Sequence, residues 1–163
     1  RGLGGALKSI FSYAVEQEYD ILVTFDADGQ HNGSDIKRLI QPILDGKKDI
    51  IIGSRWLERK RITFSRFLIN LFANVITYLL FGIYTTDSQS GLRAFNKKAI
   101  KKIFITTEGM EVSSEFFKEI RRNKLNFGEI PIKAIYTDYS LEKGQRVDNA
   151  PEVLLRLIIR FLR

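Results

Sequence analysis

The stretch Ile21-Leu22-Val23-Thr24-Phe25-Asp26-Ala27-Asp28-Gly29-Gln30-His31 decides the fold. Its first five residues form a largely apolar run bounded by turn residues, the pattern of a buried strand in a parallel sheet. The run then breaks into two carboxylates flanking a single alanine, followed by Gly29 and two polar side chains. In open α/β sheets, ligands collect beyond the carboxyl ends of strands, which is where Asp26 and Asp28 fall. Two carboxylates this close repel unless a cation or proton lies between them. The pair therefore suits a hard metal, Mg²⁺ or Mn²⁺, better than a core. The alternative is an acidic turn that caps the next helix.

Working outward, Leu7, Ile10, Phe11, Ala14 and Val15 recur at helical spacing and predict an amphipathic helix ahead of the strand. Gly2, Gly4 and Gly5 stand at its start, where small residues let a backbone approach a ligand or a strand; a flexible end is the other reading. On the far side, Ser34 is read as an N-cap, with Asp35 in the first turn. Ile36, Leu39, Ile40, Ile43 and Leu44 follow as the inward face, and Gly46 is the stop. Asp49-Ile50-Ile51-Ile52-Gly53 is a second buried strand. Residues 21–53 thus form a strand–helix–strand unit whose strands are expected to pair in parallel. The second strand brings Arg55 to the same edge as the carboxylates, and a guanidinium there can take phosphate oxygens bidentately.

The chain has 163 residues, one domain's worth, with 44% hydrophobic and 28% charged residues, so it is globular rather than disordered. It has no cysteine, which excludes disulfides and thiolate-bound metals. Lysine and arginine exceed acids by 26 to 19, a net charge of +7 that favours an anionic partner: nucleic acid, phosphate-bearing metabolites or an acidic membrane face.

A basic run, Arg55, Arg59, Lys60, Arg61 and Arg66, leads into an apolar helix over 67–82. Its single polar stripe is Asn70, Asn74 and Thr77, so it is expected either in the core or in a membrane interface. Asp87-Ser88-Gln89-Ser90-Gly91-Leu92-Arg93-Ala94-Phe95 is a second dense polar cluster, suited to a tight turn offering N–H groups to an anion. Residues 97–104 read as a short helix with Ile100, Ile103 and Phe104 inward. Ser113 or Ser114 caps the next helix, which carries Phe116, Phe117 and Ile120, with Glu108, Glu111 and Glu115 about its start. Phe127–Tyr136 is a strand that Pro131 assigns to an edge or bulge. A polar loop to Arg146 and a last apolar helix striped by Glu152, Arg156, Arg160 and Arg163 complete the chain. That helix, like the one over 67–82, suits a membrane or partner surface.

Four ordered motifs carry a resemblance: Phe25-Asp26-Ala27-Asp28-Gly29-Gln30-His31, Gly53-Ser54-Arg55, Asp87 with Ser90-Gly91-x-Arg93-x-Phe95, and Glu129-Ile130-Pro131-Ile132. Together they resemble the inverting family-2 glycosyltransferases, in particular the dolichyl-phosphate mannose synthase-like branch. The likeness implies an α/β fold of the Rossmann-like GT-A type, a mostly parallel sheet flanked by helices. It would place a partial catalytic domain over 1–150 and an amphipathic helix over 151–163.

It further implies that Asp26, Asp28 and Gln30 hold Mg²⁺ or Mn²⁺ and the diphosphate of a nucleotide-sugar donor. Arg55 and Arg93 would meet phosphate charge, and Asp87, Ser90 and Gly91 would shape the acceptor side. The acceptor is expected to be a polyprenyl (dolichyl-type) phosphate or a cell-surface glycan. Lys143 and Arg146, in a stretch that resembles the branch's close-over loop, would suit an anionic acceptor, and Glu108 is the candidate base if a hydroxyl attacks. Work at the cytoplasmic face of a membrane, as a peripheral protein, is the expected setting.

Family members begin with a nucleotide-gripping strand and acidic turn that this sequence lacks, so a fragment short of roughly 70 residues is expected. Two other readings compete. A haloacid-dehalogenase-like phosphatase shares the strand ending in Asp-x-Asp-Gly but carries threonine where Gln30 stands. A basic nucleic-acid-binding module accounts for the charge but not for the acid pair. An EF-hand fails, because His31 occupies the required glycine position and Lys37 that of the bidentate acid.

Overall fold

The computed structural model describes residues 2–26, 31–57, 64–109, 112–133 and 135. The elements are α1 (Leu3–Glu16), β1 (Ile21–Thr24), α2 (Asp35–Leu44), β2 (Ile50–Ser54), α3 (Phe64–Phe81), β3 (Arg93–Asn96), α4 (Lys97–Lys102), α5 (Val112–Arg122) and β4 (Phe127–Pro131). The four described strands form one sheet in the order β1-β3-β2-β4. β2 and β4 pair in parallel, whereas β3 pairs antiparallel with both β1 and β2. Three strands therefore run one way and β3 runs against them.

The expected direct pairing of β1 with β2 is corrected: β3 lies between them, with Leu22 and Ile50 both opposite Phe95. The two strands share a direction but not a hydrogen bond. Side-chain alternation along β2 and β3 builds the two layers. Ile50, Ile52 and Phe95 join Leu7, Phe11, Phe116 and Phe117 in the larger cluster. Ile51 and Ala94 face the other way, onto Leu39, Ile43, Leu92 and Ile132. Ile50, Ile51 and Ile52 are each at most 2% exposed, and burying each supplies about 2 kcal/mol. β4 lies at a sheet edge among the described strands, as Pro131 required.

The helices are largely where the periodicity predicts them, but several details differ. Leu7, Phe11 and Ala14 of α1 are buried, whereas Ile10 and Val15 are exposed; of α2, Leu44 is exposed too. Ser34 has helical backbone and caps nothing; Asn32 Oδ1 instead accepts the Ser34 N–H at 3.0 Å, and Asn32 C=O accepts that of Asp35. Ser113 and Ser114 lie buried in the first turn of α5 rather than capping it. Phe104 falls beyond the end of α4 and is exposed, while Ile100 and Ile103 are buried as expected. Gly46 has φ +68°, the left-handed turn that ends α2. The glycines before α1 serve close backbone approach. A Cβ at Gly4 would overlap the Thr107 carbonyl, and Gly4 N–H donates to Glu108 C=O at 3.0 Å.

α3 is the larger surprise. Its polar stripe faces the protein: Asn70 and Thr77 are buried, while Phe67, Leu71, Phe72, Val75, Tyr78 and Leu79 are exposed, Leu79 by 73%. No helix among the described residues is long and apolar enough to cross a membrane. The expected C-terminal helix over 151–163 lies outside the described residues.

Candidate active site at the strand ends

β1 and β2 end at the same edge of the sheet, delivering Asp26 and Arg55 there. Because β3 runs the other way, its lead-in, Asp87–Leu92, arrives at that edge as well. The antiparallel strand thus joins the second polar cluster of the sequence to the first.

Asp26 rests on Gly91. A Cβ built at Gly91 would overlap the Asp26 carboxylate, whose Cγ lies 2.5 Å from it. Thr24 Oγ1 fixes the pair by donating to the Gly91 carbonyl at 2.7 Å. The Asp26 side chain remains 48% exposed, and His31 Nε2 lies 3.9 Å from its Oδ2. Asp26 and His31 thus stand together at the strand end. Asp28 and Gln30 lie between these, outside the described residues, as do Lys143 and Arg146.

Asp87 is fully buried, a position a carboxylate holds only with strong partners. Its Oδ2 accepts Arg55 Nε at 2.7 Å and its Oδ1 accepts Arg55 Nη2 at 2.8 Å, a bidentate pair. The Arg55 N–H adds a third bond at 3.1 Å. Ser90 Oγ donates to Gly53 C=O at 2.5 Å, tying the turn to the end of β2.

Arg93 is buried beneath the same turn. Its Nε donates to Ser90 C=O at 2.8 Å and its Nη2 to Ser88 C=O at 2.9 Å, and its guanidinium lies 4.6 Å over the Phe116 ring. Its pKa is lowered to about 10: burial lowers it most, the carboxylates of Asp87 and Asp26 offset part of that, and Arg55 lowers it further. At neutral pH it is a cation set under two acids. The resemblance implied a phosphate contact for Arg93; the bonds described here go to main-chain carbonyls and hold the turn.

Glu108 stands apart. It is exposed, and its carbonyl accepts the Gly4 N–H; no hydrogen bond among the described residues joins its side chain to the cluster. Glu115, read as a helix-dipole acid, bends back to accept the N–H and hydroxyl groups of both Thr106 and Thr107. Burial raises its pKa, and those four bonds more than offset the rise, so the carboxyl stays below its ordinary value.

Three residues with no assigned role prove central. Glu129 of β4 and Asn70 and Asn74 of α3 bind the segment that carries Asp87. An acid inside an edge strand and two amides at i and i+4 were the available signals.

The half-exposed Asp26 carboxylate, cradled on a glycine, fits a hard divalent cation. Among the described residues no group of three or more His, Cys, Asp or Glu forms a metal cage by itself.

The sequence profile described as glycosyl transferase family 2 matches residues 1–104. The chain belongs to glycosyl transferase family 2. That membership sets aside the phosphatase and nucleic-acid-module readings. Among its relatives, an uncharacterized protein of Methanocaldococcus jannaschii is 41% identical over 98% of this chain and 68% of its own length. A UDP-N-acetylglucosamine–dolichyl-phosphate N-acetylglucosaminyltransferase of Methanococcus voltae is 43% identical over 98% of this chain and 65% of its own. The chain thus spans about two thirds of the length of these family-2 relatives. Glucosyl-3-phosphoglycerate synthase of Mycobacterium tuberculosis superposes with a TM-score of 0.67 at 15% identity, covering 98% of this chain and 55% of that one. This likeness establishes a shared fold.

Proposed function

We propose that the chain carries the diphosphate-and-acceptor half of an inverting, metal-dependent glycosyltransferase that moves a sugar from a nucleotide-sugar donor to a polyprenyl phosphate. The observation that carries this reading is the convergence of Asp26, Gly91, Arg93 and the Asp87–Arg55 pair on one sheet edge. The Methanococcus relative, named for a dolichyl-phosphate acceptor, supports the acceptor class.

Asp26, with Asp28 and Gln30, would hold Mg²⁺ or Mn²⁺, which when bound stabilises the negative charge of the departing diphosphate. A phosphate oxygen of the acceptor attacks the anomeric carbon from the opposite face. The bond from that carbon to the diphosphate breaks, the nucleoside diphosphate leaves with the bonding electrons, and the configuration inverts. A phosphate monoester is already an anionic nucleophile, so the protein has to orient it rather than deprotonate it. Arg55, with Lys143 and Arg146, serves that purpose. A glycan hydroxyl would need a base, and Glu108, the base expected from the sequence, has no described link to this cluster, which favours the phosphate acceptor.

The lipid acceptor explains α3. An outward face of Phe67, Leu71, Val75 and Leu79 is costly in water and favourable in an interface, and basic residues precede it in the sequence. The protein accordingly works as a peripheral protein at the cytoplasmic membrane face.

The test is transfer by the intact protein from UDP-N-acetylglucosamine to undecaprenyl phosphate or a soluble oligosaccharide, with Mn²⁺ or with chelator. Metal-dependent transfer to the lipid phosphate is expected; transfer to the oligosaccharide alone would move the reading to a glycan acceptor. Flotation with anionic vesicles, weakened by salt and by Leu79→Glu, tests the membrane half.

A further inference from the structure

The segment Thr85–Ser88 has no strand or helix of its own, yet it carries the buried Asp87. Its path is fixed by side chains reaching in from two sides. From β4, Glu129 Oε1 accepts Thr85 Oγ1 at 2.5 Å and Thr86 N–H at 2.9 Å, while Oε2 accepts Thr86 Oγ1 at 2.9 Å. From α3, Asn70 Nδ2 and Asn74 Nδ2 each donate to Thr86 C=O at 2.8 Å, and Asn74 Oδ1 accepts Ser88 N–H at 3.0 Å. Thr86 Oγ1 also lies 2.6 Å from Ser54 Oγ, one residue before Arg55. The two ends of the Asp87–Arg55 pair are thereby fastened to each other through Thr86.

We propose that Glu129 is a positioning residue for transfer, working with Asn70 and Asn74 to hold Thr85–Ser88 so that the Asp87 carboxylate orients the Arg55 guanidinium. This rests on the reading of that pair as the acceptor-phosphate side of the site. The chemistry demands a carboxylate at position 129. Every group it meets is a donor, and only an acceptor-only side chain satisfies main-chain N–H and two hydroxyls at once. Glutamine has the same shape but turns an NH₂ group toward donors. Asn74 is equally matched, donor to the Thr86 carbonyl and acceptor to the Ser88 N–H, while Asn70 adds a second donor to the same carbonyl.

The experiment compares the intact protein with Glu129→Gln and with Thr85→Val, which removes a single hydroxyl donor at constant shape. Transfer from UDP-N-acetylglucosamine to undecaprenyl phosphate is followed with each substrate varied in turn. Backbone amide exchange at Thr86 and Asp87 and the melting temperature are measured in parallel. For Glu129→Gln, kcat/KM for the lipid phosphate should fall about tenfold or more, the scale of losing a hydrogen bond to a charged group. The donor KM should stay within about twofold, as expected when uniform binding is untouched. Amides 86 and 87 should exchange faster while those of β2 and β3 do not, and Thr85→Val should move the same quantities less. Faster exchange with unchanged kinetics would overturn the positioning role. A parallel fall in donor and acceptor parameters with a lower melting temperature would also overturn it, in favour of a general structural role. If the unsubstituted protein transfers to no lipid phosphate, the proposed function fails by itself. The exchange measurement still decides the clamp, and unchanged exchange in Glu129→Gln would overturn it.

Discussion

Gly91→Ala separates stability from chemistry at this site. The added methyl would overlap Asp26 Oδ2 outright and sit 2.5 Å from its Cγ and 2.9 Å from its Oδ1, whereas ordinary contact begins near 3.4 Å. The carboxyl carbon must therefore retreat by about 1 Å, the scale at which misplacement of a site group costs about a hundredfold. That is about 2.7 kcal/mol of transition-state stabilisation. The fold loses far less, because the Asp26 side chain is half exposed and can swing toward solvent, and no left-handed φ is demanded at Gly91. We expect the melting temperature to fall by only a few degrees, while metal-dependent donor turnover drops about a hundredfold and more Mn²⁺ is needed for half-maximal rate. The assay is steady-state transfer with Mn²⁺ titrated, alongside thermal unfolding. Turnover within about threefold of the parent at the same Mn²⁺ requirement would refute the placement of metal and diphosphate at Asp26.

Asp28→Asn should cost at least about 2.7 kcal/mol of transition-state stabilisation if the acid pair holds the cation; near-normal, still metal-dependent turnover would exclude it. Arg93→Met should act on the fold, because it strips the Ser88 and Ser90 carbonyls of their donor; a loss of about 3 kcal/mol is expected in denaturant unfolding, and less than about 1 would mean the turn holds itself. Glu115 has a depressed folded pKa, so its stabilisation is complete above its ordinary value of about 4.5 and is lost as pH falls through the lower folded one. The difference in melting temperature between the parent and Glu115→Gln should accordingly shrink as pH is lowered below about 4.5, and a constant difference would show that the carboxylate form is not what binds Thr106 and Thr107.

What the sequence disclosed follows from the range of each signal. β1 and β2 are short apolar runs with chemistry at their ends, so both strands and the positions of Asp26 and Arg55 were legible. β3 was not. Four residues beginning with an arginine, after a serine–glycine turn, read as more of the polar cluster. What makes them a strand is the partner on each side and the Phe116 ring under Arg93, all remote in sequence. Because β3 is antiparallel, missing it also concealed why Asp87 and Asp26 share one edge. Along α3 the periodicity revealed two faces but not which one packs. Apolar burial is the usual driving force, and here three polar side chains with partners in the Thr86 segment and in the helix backbone take the inner side. Glu129 was visible only as part of a motif, since its donors lie more than 40 residues away in the chain.

An amphipathic helix ordinarily finds its rotation about its own axis by sinking apolar side chains into a fitted core. Among the described residues α3 has no such core on its apolar side, and a fluid surface of the kind proposed for it would accept the helix in many rotational settings. Its angular setting is keyed by two amides gripping one carbonyl, with Phe81 at its end packed against the larger core. A slip of one residue turns the helix by about 100°, which would leave Thr86 C=O bare and swing an asparagine toward the greasy exterior. The helix is thus keyed like a bolt by its two amides, free to change its oily residues for one another but not to turn.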